Sequence, residues 1–309
     1  MYMETVRSFK MLLNKLNDQK VTKRVAVVCG TDSHSEYAIT RAIEAGFATF
    51  IMVGDKSAVE SYEVFKSHPN AVSFLNIVDP DEAADKAVSL VKTGKADVLM
   101  KGIINTDNLL RSILNKEHGI LPKGKVLTHL SVAEIPSHSK LLLFTDAAVI
   151  PYPTLEQRIA MLKYMAEVCN DFGISKPHLA LIHCTEKVSP RFPHSVDYVS
   201  LKELAAEGEF GKTLLDGPMD VSTACDIESS AIKGIDSVIG GDADGLMFPN
   251  IESGNVFYKT LSLFAKAEIA GFLKGTMCPV VITSRSDSGL TKFYSLATAC
   301  LITNNKPNL

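Results

Sequence analysis

Short apolar runs alternate with amphipathic helical stretches along most of the chain, and no other feature limits the fold as much. The alternation argues a mainly parallel α/β architecture, because parallel strands need a crossover segment between them. Residues 25–29 predict a strand. Ala38, Ile39, Ala42 and Ile43 mark one face of the helix that follows, and Gly46 suits its stop. Residues 49–53 predict the next strand. Asp79-Pro80 supplies an N-cap and a first-turn proline ahead of Ala83, Ala84, Ala87, Val88 and Val91. Gly94 ends that helix, and residues 98–100 return as a strand into Lys101-Gly102. Residues 141–144 predict another buried strand. The stiff Pro151-Tyr152-Pro153 segment reads as a domain boundary, placed at residue 150. Thr154 with Gln157 forms a capping-box pattern. Further strands are expected at 179–183, 213–215, 237–239, 246–248 and 280–283. A long helix is expected over 255–273, and a last one through 293–301.

The chain has 309 residues, enough for two domains of ordinary size. Its net charge of −3 provides no basic field for nucleic acid, so an anionic substrate must be met by local cations. Six cysteines show no C-x-x-C spacing, and most lie in apolar runs, so buried reduced thiols are expected rather than disulfides or zinc. Residues 1–20 are amphipathic but charged throughout, without the apolar centre of a signal peptide. No stretch approaches the ~20 apolar residues of a membrane span. These features predict a soluble cytoplasmic protein with no nucleic-acid or membrane partner.

Neither G-x-x-x-x-G-K-[ST] nor G-x-G-x-x-G occurs, which weighs against a P-loop nucleotide hydrolase and a Rossmann dehydrogenase. Chemistry-bearing residues gather instead at the ends of apolar runs, where open α/β sheets bind ligands. Ser284-Arg285-Ser286-Asp287-Ser288 leaves a strand and enters a helix. Arg285 offers a planar donor fork for phosphate, Ser284 a hydrogen bond to a developing oxyanion, and Asp287 a general base or an N-cap. Simple capping of the last helix is the competing reading. Asp216, in the Asp216-Gly217-Pro218 turn, is either a thiol-proton acceptor or an ordinary turn aspartate. Asp242 and Asp244 resemble fragments of a calcium loop, but the other ligands at that spacing are missing. Asn250, Glu252, Gly254 and Asn255 suggest a loop-to-helix start over a ligand, and Lys259 is a phosphate contact or a surface lysine. Lys101, with Asn105-Thr106-Asp107, ends another strand, and Arg111 follows on the next helix. Cys184 is expected to be a buried strand cysteine; as a nucleophile it needs exposure and a base.

Several of these motifs, in this order, resemble the phosphate acetyl/butyryl transferase family. They are Thr145-Asp146-Ala147-Ala148, Glu186-Lys187-Val188, Asp216-Gly217-Pro218, Lys233-Gly234-Ile235, Gly241-Asp242-Ala243-Asp244, Gly254-Asn255, Tyr258-Lys259 and Ser284-Arg285-Ser286-Asp287-Ser288. The resemblance implies two α/β domains with a cleft between them, an isocitrate/isopropylmalate dehydrogenase-like fold. Residues 1–149 with 275–309 would form the first domain and 150–274 the second. It also implies acyl transfer between coenzyme A and phosphate, with acyl-CoA, phosphate and acyl phosphate as the molecules handled. Coenzyme A would serve as substrate rather than cofactor, without a metal, in a homo-oligomer. Ser284, Arg285, Asp287 and Asp216 would carry the chemistry. Arg111, Lys101, Asn255, Lys259 and Asn250 would bind substrate. Acetyl-specific relatives have a further arginine near Thr128-His129-Leu130, and none lies between Arg111 and Arg158 here, which favours the butyryl branch. The alternatives are a phosphate acetyltransferase, a metal- and NAD-dependent hydroxy-acid dehydrogenase using Asp216, Asp242 and Asp244, and a coenzyme A-binding regulator.

Overall fold

The computed structural model describes residues 4–283 and 287–303. Eleven strands are found among them. They are β1 (Lys23–Val28), β2 (Ala48–Gly54), β3 (Val72–Asn76), β4 (Val98–Lys101), β5 (Thr128–Glu134), β6 (Leu142–Thr145), β7 (His178–Ile182), β8 (Leu214–Met219), β9 (Gly245–Met247), β10 (Glu268–Lys274) and β11 (Val280–Val281). The described residues fall into two compact units, one built from 9–127 and the chain from 268 onward, the other from the N-terminal segment up to Ser8 and Thr128–Ala267.

In the unit that holds both ends of the β1–β11 series, the strand order is β3-β2-β1-β4-β11-β10. All pairs are parallel except β10 with β11, so the expected parallel core is present. Val25–Val28 and Val98–Met100 are fully buried, as strands covered on both faces must be. The helix Pro80–Lys92 packs on β1 and β2, and Gly289–Ile302 packs on Ser33–Glu44 and β10. Local signals work as read. Asp79 accepts from the Asp81 and Glu82 amides at 3.0 and 2.9 Å, and Gly46 and Gly94 end their helices at φ 76° and 69°.

The other unit has the order β5-β6-β9-β7-β8, parallel except for β5 with β6. Residues 4–8 belong to it: Val6 N donates to Phe172 O at 2.8 Å, behind the helix Leu155–Asp171. Both halves of the Thr154–Gln157 capping box form.

Several expectations need correction. The units divide at 127/128 and 267/268 rather than at 149/150 and 274/275, because β5 pairs with β6. The helix expected over 255–273 is instead Ile251–Leu263 followed by β10. A continuous buried run such as Ile269–Leu273 has no period to separate strand from helix. The expected strand at 237–239 is irregular chain, and β11 is shorter than 280–283. Asp216-Gly217-Pro218 is no turn: it lies inside β8, which pairs within its unit with β7 alone. Proline is tolerated there because an outer strand lacks a ladder partner on one side. Gly217 is required by packing, since a Cβ would sit 2.5 Å from Leu181 O.

Candidate active site

A cavity of about 360 Å³ opens at the carboxyl ends of β1, β4 and β11, lined by Asp32, Ser33, His34, Lys101, Gly102, Ile103, Thr283 and Lys292. Three parallel strands deliver loops to one edge, as the open-sheet rule requires. Gly102 makes the approach possible. Its amide donates to Val28 O at 2.8 Å, and a Cβ on it would come within 2.2 Å of Cys29 O. The loops after β1 and β4 therefore touch backbone to backbone, which brings Lys101 beside the 30–34 loop. Lys101 is buried, with Nζ 3.3 Å from Gly102 O. Its assignment as a substrate-binding residue came from the strand-end pattern, and the cavity is consistent with it.

Asp32 caps the helix Ser33–Glu44, accepting from Ser35 N at 3.0 Å and from Ser35 Oγ at 2.6 Å. Lys292, on the first turns of Gly289–Ile302, donates to Asp32 Oδ1 at 2.8 Å and to Ser35 Oγ at 2.9 Å. Burial pushes the Asp32 carboxyl up, but the bonds from Lys292 and Ser35 outweigh it and leave the group below the usual carboxylate range. Sequence reasoning missed both residues. They stand 260 positions apart, and each reads locally as an ordinary helix residue.

Ser284 and Arg285 lie outside the described residues; the chain is described up to Thr283 on the cavity wall and resumes at Asp287. Asp287 is buried, at 8% exposure. The N-cap of the last helix is Ser288, which accepts from Thr291 N at 3.1 Å, so Asp287 is not the cap. Arg111 is exposed in the last turn of Thr106–Ile113 and is not part of the cavity lining.

The remaining predicted residues belong to the other unit, and the structure gives most of them structural partners. Asp146 organises this region. Its carboxylate accepts from Thr128 Oγ1 and His129 N at 2.7 and 3.0 Å, and from the Ala148 and Val149 amides at 2.8 Å each. Gly254 packs so closely on this loop that a Cβ would lie 2.2 Å from Asp146 O. Asn255 Nδ2 donates to Ala147 O at 3.0 Å, and Asn250 caps Ile251–Leu263 by accepting from Ser253 N at 3.0 Å. Lys259 is exposed, its ammonium 4.9 Å from the Tyr258 ring centroid. Asp216 accepts from Lys202 Nζ at 2.9 Å and from Gly217 N at 2.8 Å. Burial raises its carboxyl, yet these partners and Ser237 hold it below the usual range. That makes it a weak proton acceptor near neutral pH.

Lys140 sits between the other two aspartates, 2.7 Å from Asp242 Oδ1 and 2.7 Å from Asp244 Oδ1. A buried ammonium already bridges these two carboxylates where a metal would sit, and Asp216 is bound to Lys202, so the residues do not fit the metal cluster of the dehydrogenase alternative. No group of three His, Cys, Asp or Glu side chains suited to a metal occurs among the described residues. The six cysteines are free thiols, as expected, but Cys184 is exposed beyond β7 rather than buried in it. Its Sγ lies 4.0 and 3.9 Å from the His183 ring nitrogens, and His183 contacts His194 Nε2 at 3.0 Å. Burial lowers both imidazoles, His194 to about 4, so this pair is neutral at pH 7. No helix among the described residues is long and apolar enough to cross a membrane.

The α/β scaffold defines a fold that solved structures share. The chain superposes on a branched-chain phosphotransacylase from Enterococcus faecalis V583 with a TM-score of 0.80 at 33% identity, covering 91% of this chain and 99% of that one. A 4-hydroxythreonine-4-phosphate dehydrogenase from Klebsiella pneumoniae, at 10% identity, has the same fold with a TM-score of 0.53, covering 91% and 100% of the two chains. The family model described as Phosphate acetyl/butaryl transferase matches residues 82–300. A phosphate butyryltransferase from Clostridium acetobutylicum is 37% identical over 97% of this chain and 100% of that protein. The chain belongs to the phosphate acetyl/butyryl transferase family.

Proposed function

We propose that the protein is an enzyme that transfers a short-chain acyl group, butyryl or similar, between coenzyme A and inorganic phosphate. The observation that carries this reading is the near full-length similarity to a phosphate butyryltransferase, joined to a cation-lined cavity at the strand ends. A phosphate oxygen attacks the thioester carbonyl carbon, the C–S bond breaks, and acyl phosphate and coenzyme A leave. The phosphate proton passes to the departing thiolate. In reverse, the thiol gives up its proton and attacks the acyl phosphate carbonyl.

Asp287 is the better candidate for the group that handles this proton, because it belongs to the Ser-Arg motif that the family resemblance assigns to the chemistry, while the Asp216 carboxyl is held below the usual range. Arg285 and Ser284, assigned from the family resemblance, stabilise charge on phosphate and carbonyl oxygens, at roughly 3 kcal/mol per oriented donor. Lys101 attracts the phosphate from the cavity wall. Arg111, assigned in the same way, meets phosphate from its exposed helix face. Asn250 and Asn255 hold the substrate-side loop and bind substrate from it, and Lys259 is a phosphate contact on the helix that follows. No metal or redox cofactor enters these steps, and the working form is a cytoplasmic homo-oligomer.

The test is thiol release from acetyl-, butyryl- and isovaleryl-CoA with and without phosphate. Phosphate-dependent release, with the highest kcat/KM for a four- or five-carbon acyl group, is expected. Acetyl-CoA as clearly the best substrate would move the protein to the acetyl branch, and release independent of phosphate would contradict acyl transfer to phosphate.

A further inference from the structure

The cavity at the ends of β1, β4 and β11 has two lysines, Lys101 and Lys292, and one carboxylate, Asp32, among its lining residues. A pocket that receives phosphate or acyl phosphate gains nothing from a bare carboxylate on its wall. Asp32 is nevertheless needed where it stands, as the N-cap of Ser33–Glu44. Lys292 resolves the conflict. It is 6% exposed, and its Nζ reaches Asp32 Oδ1 at 2.8 Å and Ser35 Oγ at 2.9 Å. With both lysines the three groups sum to one positive charge; without Lys292 they sum to zero, and Asp32 loses its ion-pair partner. Lys292 also rides on the helix that begins just after Asp287, so the same bond ties that helix to the 30–34 loop.

We infer that Lys292 is a positioning residue that sets the affinity of this cavity for the anionic substrate, by neutralising Asp32 and holding it as a helix cap. The inference rests on the acyl-transfer reading for the identity of the anion, which is phosphate or acyl phosphate. Neither Lys292 nor Asp32 takes part in bond making.

Charge and packing are separated by a cycle of Lys292→Met, Asp32→Asn and the double variant. Methionine keeps much of the lysine stem, and asparagine caps helices about as well as aspartate. The kinetic readout is the KM for phosphate against the KM for butyryl-CoA and kcat. Lys292→Met should raise the phosphate KM about 10-fold, the scale of one screened charge acting across a cavity, with little change in the butyryl-CoA KM. Asp32→Asn alone should leave the phosphate KM at or below the wild-type value. The double variant should return it to within about 2-fold of wild type, because neither charge remains. Titration calorimetry with inorganic phosphate on the same four proteins reads affinity without turnover and should follow the same order. It also decides the matter if Lys292→Met is too unstable for kinetics, since Asp32→Asn and the double variant retain the prediction. Wild-type protein that binds phosphate without turning over acetyl-, butyryl- or isovaleryl-CoA would sink the acyl-transfer reading and leave the charge cycle to be read by calorimetry. Lys292→Met with unchanged phosphate affinity, or a double variant as impaired as the single one, would overturn the inference itself.

Discussion

At Asp216 two roles for one carboxylate pull apart. A general base must be able to take up a proton near neutral pH, whereas a carboxylate bonded to Lys202 and to Gly217 N accepts one only reluctantly. Its depressed value instead ties it to stability. The contribution is complete above the unfolded value of about 3.9 and is lost as pH falls through the lower folded value. Asp216→Asn should therefore be less stable than wild type at pH 7, with the gap closing below about pH 4. It should keep most of its activity. Chemical unfolding at both pH values checks the first expectation, and a kcat fall of 10²-fold or more would restore Asp216 as the base. Arg285 is expected to behave in the opposite way. Arg285→Ala should lower kcat/KM by about 10²-fold or more, and Arg285→Lys should not fully recover it, because lysine lacks the planar fork. Kinetics close to wild type in both variants would remove Arg285 from the chemistry. The place of Lys101 at the cavity edge could be read from sequence because its signal is local, a cation where a strand stops. Lys292 and Asp32 could not, because their meaning lies in a bond across 260 positions.

Among the elements, the helix Ile251–Leu263 shows what patterning captures and what it misses. Its N-terminal signal, Asn250 with Glu252, Gly254 and Asn255, is visible as a loop-to-helix start and proves to be a capped helix packed on the Asp146 loop. Its C-terminal limit was not visible, because the helix and β10 are both apolar and the break between them carries no proline or glycine. The same blindness hid β3 and β5, which lack a clean alternation. By contrast, the Thr154 capping box and the Asp79-Pro80 start are chemical signals of a few residues, and both formed as read. Gly254 gives a stability test at this scale. A helical Gly→Ala change ordinarily gains about 1 kcal/mol. Here the new Cβ would lie 2.2 Å from Asp146 O, so overpacking of about 1–3 kcal/mol is expected to win. Gly254→Ala should melt a few degrees below wild type; an equal or higher Tm would show that the helix moves away without cost.

For the whole molecule, the α/β class was legible because it needs only the alternation of runs, and the family because its motifs are spread in order along the chain. The limits of the compact units were less so. Unit membership is decided by strand pairing, and a proline-rich segment inside one unit looks the same in sequence as a linker. A mechanism without an acyl-enzyme makes a kinetic prediction at this scale. Initial rates at varied butyryl-CoA and phosphate should give intersecting double-reciprocal lines, since both substrates must be bound before a product leaves. Parallel lines, with an acyl group trapped on Ser284 or on the exposed Cys184, would establish a covalent route.

The central claim is that the acyl group ends on phosphate. Its most direct measurement is the product balance of one reaction, butyryl-CoA with inorganic phosphate. Free coenzyme A would be read by a thiol reagent and butyryl phosphate by conversion to the hydroxamate. The account predicts equal molar amounts of the two, both absent when phosphate is withheld. Coenzyme A released with free butyrate and no butyryl phosphate would contradict it, because the acceptor would then be water.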